Sequence, residues 1–122
     1  MTAIASMGMV NLDCDDPHIL AAFYRQVLGW EVAHESDDYA MLSNGSVMLG
    51  FGRVKGYTPP NWPNETEPKR YHLDFYVDDY DKAEAALLAL GAKKPEFQPG
   101  ADRWRVLLDP AGHPFCICLK SE

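Results

Sequence analysis

Long apolar runs are missing from this chain. No stretch of about 18 consecutive apolar residues occurs, so no helix is expected to span a membrane. The opening Met1-Thr2-Ala3-Ile4-Ala5 has neither a basic leader nor an apolar region of secretory length. The cytoplasm is therefore the expected compartment. Cysteine is sparse. Cys14, Cys116 and Cys118 make an odd set without a disulfide framework, which fits a reducing environment. Basic charge is also short, with 11 Lys and Arg against 18 Asp and Glu, for a net charge of −7 and a pI of about 4.9. Nucleic acid needs a basic footprint, so no nucleic-acid partner is expected. Neutral or cationic small molecules suit such a surface better. At 122 residues the chain has room for one domain or two fused half-domains, and 47% apolar residues suffice for a core.

What is present is one small pattern used twice. Tyr71-His72-Leu73-Asp74-Phe75-Tyr76-Val77 alternates as a strand does, with Leu73, Phe75 and Val77 on one face and His72, Asp74 and Tyr76 on the other. Asp78-Asp79 follows and can cap a helix. Half a chain length earlier, Met7 to Asp13 reads the same way, with Val10 and Leu12 opposite Met9, Asn11 and Asp13. Asp15 or Asp16 then caps a helix with Pro17 in its first turn. Ile19, Phe23 and Val27, flanked by Leu20 and Leu28, define its expected buried face, and Gly29 its stop. Strands are expected at Trp30–Ala33, Tyr39–Leu42 and Ser46–Val54, with Asn44-Gly45 as a hairpin turn. In the second half a helix should bury Ala83, Ala86, Leu87 and Leu90. A weak strand is expected at Lys93–Phe97, a better one at Trp104–Leu108 and a last one at Phe115–Leu119. Each half thus reads as βαβββ, module 1 at about 5–54 and module 2 at about 70–122. Between them, about 55–69 forms a linker whose four prolines exclude helix and central strand.

Phe23-Tyr24 and Leu28-Gly29-Trp30 at the first helix and its exit, and Asp109-Pro110-Ala111-Gly112-His113-Pro114-Phe115 before the last strand, stand in this repeated pattern. The ordered set resembles the vicinal oxygen chelate superfamily of glyoxalases, extradiol dioxygenases and bleomycin resistance proteins. With Arg53-Val54 and His72-Leu73-Asp74, the terminal stretch looks most like its small glyoxalase-like domain branch. The resemblance implies an α+β fold in which two βαβββ modules form a curled mixed sheet with a ligand cup. It also implies a homodimer, since the superfamily commonly pairs one half with the opposite half of a second chain. In metal-dependent members four inward side chains bind the ion, and the matching positions here are Met9, roughly Leu49, His72 and Cys116. Only His72 keeps the pattern. A hard divalent ion needs oxygen or imidazole donors, so neither metal nor cofactor is expected.

The residues expected to line the cup are Met9, Leu49, Phe51, Tyr57, Trp62, His72, Asp74, Tyr76, Trp104 and Cys116. His72 reads as a cavity residue hydrogen-bonding to Asp74, Tyr76 or a ligand, or else as a lone ligand or general base. Cys116 and Cys118, two apart on one strand face, read as small buried hydrophobes or, with His72, as soft-metal ligands. Asp13 and Asp74 read as an acid–base pair or as solvated carboxylates. Trp62 lies between Pro60-Asn61 and Pro63, where the chain is not expected to enter a core, and reads as a ligand lid or an oligomer contact. Met and Leu at ligand positions together with these aromatics lead to one expectation. The chain should sequester an aromatic natural product or antibiotic, as drug-resistance members of the superfamily do. The alternative is a glyoxalase-like lyase or isomerase or a dioxygenase, including a metal-independent one with His72 as acid and base.

Overall fold

The computed structural model describes residues 2–67 and 70–120. The chain divides into two compact units, one ending at Tyr57 and the other beginning at Thr58. The first unit runs β1 (Val10–Cys14), α1 (Pro17–Leu28), β2 (Glu31–Glu35), β3 (Tyr39–Ser43) and β4 (Met48–Arg53). Its four-stranded sheet has the order β1-β4-β3-β2. β1 runs parallel to β4, and the other pairs are antiparallel.

Local chemistry sets the ends of α1. The Asp16 carboxylate accepts from the amides of His18 at 3.0 Å and Ile19 at 3.3 Å, satisfying two otherwise orphan donors. Gly29 ends the helix at φ 71°, a left-handed conformation that favours glycine. The buried face is Leu20, Ala21, Phe23 and Tyr24. Ile19, expected there, is 57% exposed, and Val27 is only half-buried. The buried stripe is thus rotated about one residue from the expected one, towards the aromatic Tyr24, which stacks on Phe51 at 5.6 Å. The hairpin turn forms as expected, with Asn44 Oδ1 accepting from the amides of Ser46 and Val47.

The second unit runs β5 (Leu73–Val77), α2 (Tyr80–Ala89), β6 (Arg105–Leu108) and β7 (Pro114–Leu119). Its sheet has the order β5-β7-β6, with β5 parallel and β6 antiparallel to β7. Asp79 caps α2 by accepting from the Lys82 amide at 2.9 Å. Leu87 is the buried residue of this helix, while Ala86 and Leu90 are exposed, contrary to expectation. On the sheet's helix side Phe75 meets Phe115 at 5.4 Å, beside fully buried Leu107 and Ile117.

The strand expected at Lys93–Phe97 is absent among the described residues. Lys93 makes one bridge, its amide and carbonyl bonding those of Leu108. Pro95 has no N–H with which to continue a ladder. The Gln98 side chain takes over, its amide nitrogen donating to the Val106 carbonyl and its oxygen accepting from the Val106 amide, each at 2.9 Å. A side-chain amide thereby pairs the backbone edge that a fourth strand would have paired. Neither sheet closes on itself, and the α+β class is the expected one. No helix among the described residues is long and apolar enough to cross a membrane.

Candidate functional site

Strand parity gives each sheet a helix side and an open side. In the second unit Asp74 pairs with Cys116 and Tyr76 with Cys118, while Val106 pairs with Cys116. The open side therefore carries Asp74, Tyr76, Cys116, Cys118 and Val106, with His72 one step before β5 and Trp104 one step before β6. Leu73, Phe75 and Val77 take the other side, as the alternation predicts.

Trp62 covers this open face. It is 7% exposed and packs with Val106, Cys116 and Trp104, and its ring stacks on that of His72 at 5.6 Å and 27°. The expectation that flanking prolines keep Trp62 out of a core is thus corrected. The segment after Tyr57 belongs to the second unit, and its indole fills that unit's own apolar surface. Arg103 places its guanidinium 4.8 Å from the Trp104 ring centre, a cation–π distance.

His72 is held from both sides. Its Nδ1 lies 2.9 Å from the Arg70 carbonyl, and its Nε2 lies 3.1 Å from Asp74 Oδ1. A carbonyl only accepts, so Nδ1 donates to Arg70. The His72 side chain is 14% exposed, against 60% for Asp74. Tyr76 is 70% exposed and Cys116 only 2%. Burial, followed by the Asp74 charge, pushes the Cys118 thiol above its ordinary pKa. His72, Asp74 and Cys116 each bring one donor atom within 4.8 Å of the others.

The first unit distributes its residues differently. Val10 pairs with Leu49 and Leu12 with Phe51, while Ala40 and Leu42 oppose Phe51 and Leu49. Leu49 and Phe51 are buried on the α1 side, where Phe51 meets Tyr24. Their expected place on the same face as Met9 is therefore wrong by one residue. Both faces of Met48-Leu49-Gly50-Phe51-Gly52 are built of residues without charge, so polarity did not mark the inward one. The open face instead holds Asn11, Asp13, Tyr39, Met41, Ser43, Met48, Gly50 and Gly52, with Met9 beside them and the candidate carboxylate Asp13 exposed. The Tyr39 hydroxyl lies 3.0 Å from both Met9 Sδ and Asn11 Oδ1. Gly50 makes this possible: a Cβ there would sit 2.1 Å from both Asn11 Oδ1 and the Tyr39 oxygen. The meeting of Tyr39 and Asn11 on this face was not expected. The signal was available in the alternation of β4, which places glycines opposite them. Tyr57 is half-buried at the end of this unit, its amide bonded to the Val54 carbonyl.

Six of the ten expected residues thus gather on or over one face of the second sheet: Trp62, His72, Asp74, Tyr76, Trp104 and Cys116. The remaining four lie in the first unit, two of them on its helix side. A hollow of about 420 Å³ beside Gly29, Trp30 and Asn44, and one of about 320 Å³ between Pro59, Lys93 and Pro110, include none of the ten. The family's hard metal ion does not fit the first unit's two positions. Met9 offers only a thioether, Leu49 is buried against α1, and its neighbours Met48 and Gly50 on the open face bring no oxygen or imidazole side chain. No chemical step is derived through such an ion.

The model of the glyoxalase-like domain family matches residues 9–118. CFP32 of Mycobacterium bovis, named as a candidate glyoxylase, is 34% identical over 107 residues. That match takes in 84% of this chain but 40% of the mycobacterial protein, so the chain spans well under half the length of this curated relative. Among solved structures, a glyoxalase/bleomycin resistance protein/dioxygenase family enzyme from Burkholderia phytofirmans superposes with a TM-score of 0.67 at 26% identity, covering 93% of this chain and 97% of the other. The fosfomycin resistance protein FosX from Mesorhizobium loti superposes with a TM-score of 0.66 at 15% identity, covering 98% and 94%, which is a likeness of fold. From the repeated strand–helix pattern, the two open-faced sheets and the match over residues 9–118, the chain belongs to the glyoxalase-like domain family of the vicinal oxygen chelate superfamily.

Proposed function

We propose that this chain binds a planar aromatic small molecule and sequesters it without chemical change, in the manner of an antibiotic-binding resistance protein. The observation that carries this reading is the aromatic cover on the open face of the second unit. Trp62 stacks on His72 and packs with Trp104 over Cys116 and Val106. A flat ring inserted beneath the Trp62 indole, which otherwise covers this face itself, would be held by stacking at about 0.5–1.5 kcal/mol per aromatic pair beyond area burial. Exposed Asp74 and Tyr76 on the same face supply polar anchors. The net negative charge favours a neutral or aminated ligand over a phosphorylated one.

The reading includes a cytoplasmic homodimer, in which a second copy encloses the ligand. Open sheet faces that leave Tyr76 70% exposed suit burial by a partner. Light scattering at tens of micromolar should return twice the 13.7 kDa chain mass, and a monomer would count against it.

One observation favours a second reading, a metal-independent glyoxalase-like enzyme. His72 and Asp74 are in direct contact and could exchange a proton with a bound carbonyl compound. The name of the mycobacterial relative points the same way. Doxorubicin, a planar aminated quinone, separates the two. Capture predicts quenched tryptophan fluorescence and recovery of the compound at unchanged mass. A product of altered mass that disappears in His72→Ala would replace the capture reading with the enzymatic one.

A further inference from the structure

We infer that residues 59–67 form a tethered lid over the open face of the second unit, and that Trp62 must lift before a flat ring can enter beneath it. What enters rests on the capture reading, whereas the lid motion itself can be read without any ligand. The starting point is what occupies the face. Trp62 is 7% exposed, packed with Val106, Cys116 and Trp104 and stacked on His72. Its indole thus fills the apolar surface that a planar ligand would use. A ring inserted beneath it adds a layer of about 3.5–4.0 Å, the contact distance between carbon atoms, so the indole must rise by that much.

The segment is built to release the indole without disturbing the sheet. Pro59, Pro60 and Pro63 have no N–H and cannot extend a strand ladder. Trp62 is the one buried residue among 58–67, and a segment with so little buried surface sits at the low end of local stability. Its near end is seated on the turn between β6 and β7. Gly112, at φ 86°, admits Pro59 so closely that a Cβ there would lie 2.6 Å from Pro59 Cβ. Its far end is tied by Asn64. The Asn64 amide nitrogen donates to the Asn61 carbonyl. The Asn64 oxygen accepts from the amides of Thr66 at 2.9 Å and Glu67 at 2.6 Å, and from the Thr66 hydroxyl at 3.1 Å.

Those two anchors make Gly112 and Asn64 positioning residues. They keep the shape of the segment while the indole moves, so the lid swings as a stiff piece, and its prolines limit the entropy lost on closing. Closed on the empty face, the lid shields apolar surface and the Cys116 thiol from water. Closed over a ring, it adds a second stacking surface above the ligand.

Thiol alkylation of the full chain reads the motion. Cys118→Ala leaves Cys116 as the remaining thiol of the second unit, 2% exposed and packed with Trp62. In that background N-ethylmaleimide should alkylate Cys116 while the amides of the β6–β7 ladder stay protected from hydrogen exchange, because the lid lifts without unfolding the sheet. Adding Trp62→Ala should speed the reaction by more than about tenfold with the ladder still protected, as expected when reaction waits on a local opening. Asn64→Ala cuts the tie and keeps the indole, so it should speed the reaction less. Alkylation no faster than ladder exchange, or a rate unchanged by Trp62→Ala, would overturn the lid. A gain in rate that comes only with loss of ladder protection would do the same, since it marks unfolding of the sheet. Doxorubicin binding is titrated separately, so failure of the lid and failure of capture are distinguishable.

Discussion

The two units begin from the same sequence pattern and use it differently. In the first, α1 buries four apolar residues besides its first-turn proline, and the sheet is completed by four strands. Its open face is small and self-satisfied, with Tyr39 and Asn11 meeting across Gly50. In the second, α2 buries only Leu87, and the sheet has three strands with a glutamine side chain in place of the fourth. Its open face carries an imidazole, a carboxylate, two thiols and two indoles. The lesson is a division of labour: the first unit uses its sheet for packing against its helix, and the second gathers the reactive side-chain types on its open face under Trp62.

Substitutions can break or sharpen that contrast. The largest effect is expected at Phe51, fully buried on the helix side of the first unit and stacked on Tyr24. Phe51→Ala should cost about 3–5 kcal/mol in urea unfolding. Doxorubicin affinity per folded molecule should stay unchanged, and a loss of affinity without a loss of stability would return Phe51 to the binding face. Trp62→Ala and Trp104→Ala in the second unit should show the opposite emphasis. Each should weaken capture by about 1–3 kcal/mol, as desolvated anchors do, measured by fluorescence titration against the remaining tryptophans. If both variants bind as tightly as the parent, the aromatic cover is not the site.

Gly50→Ala tests the quiet face of the first unit. The new methyl must displace Asn11 and Tyr39, and about 1–3 kcal/mol of stability should be lost. Tyr39→Ala in the same chain should restore part of it, a coupling that a double-mutant cycle reads directly. Asp16→Ala removes a cap that satisfies two amides and should lower stability by about 1 kcal/mol. Asp79→Ala removes one such bond and should cost less. The smallest effect concerns Cys118. Its folded pKa is raised, so the stability it contributes is complete below the unfolded pKa and is lost as pH rises through the folded one. Stability measured across the alkaline range should fall above the ordinary thiol pKa, and should fall less steeply in Cys118→Ala.

Much of this was legible in the residues. Asp16, Pro17 and Gly29 mark α1 because capping is local chemistry. The alternation of His72, Asp74 and Tyr76 against Leu73, Phe75 and Val77 gave the correct open face because charged and apolar residues alternate there. Three features resisted for physical reasons. β4 has no charged residue before Arg53, so Leu49 and Phe51 could not be assigned to a side without the parity of their partners. Pro95 ends the Lys93 bridge, and a side-chain amide finishing a strand edge leaves no periodic trace. Trp62 reads as a loop residue by its neighbours, yet a single indole held between prolines reaches a sheet face that its flanking residues do not. The contact of His72 with Asp74 follows from their shared strand face, whereas its second bond, to the Arg70 carbonyl, depends on a side-chain rotamer to which sequence spacing is blind.

The capture claim is tested most directly by titrating the full chain with doxorubicin and recovering the compound. The account predicts saturable quenching of tryptophan fluorescence with one compound per chain, weakened in Trp62→Ala, and a recovered molecule of unchanged mass. Absence of saturable binding, or a recovered molecule whose changed mass depends on His72, would contradict it.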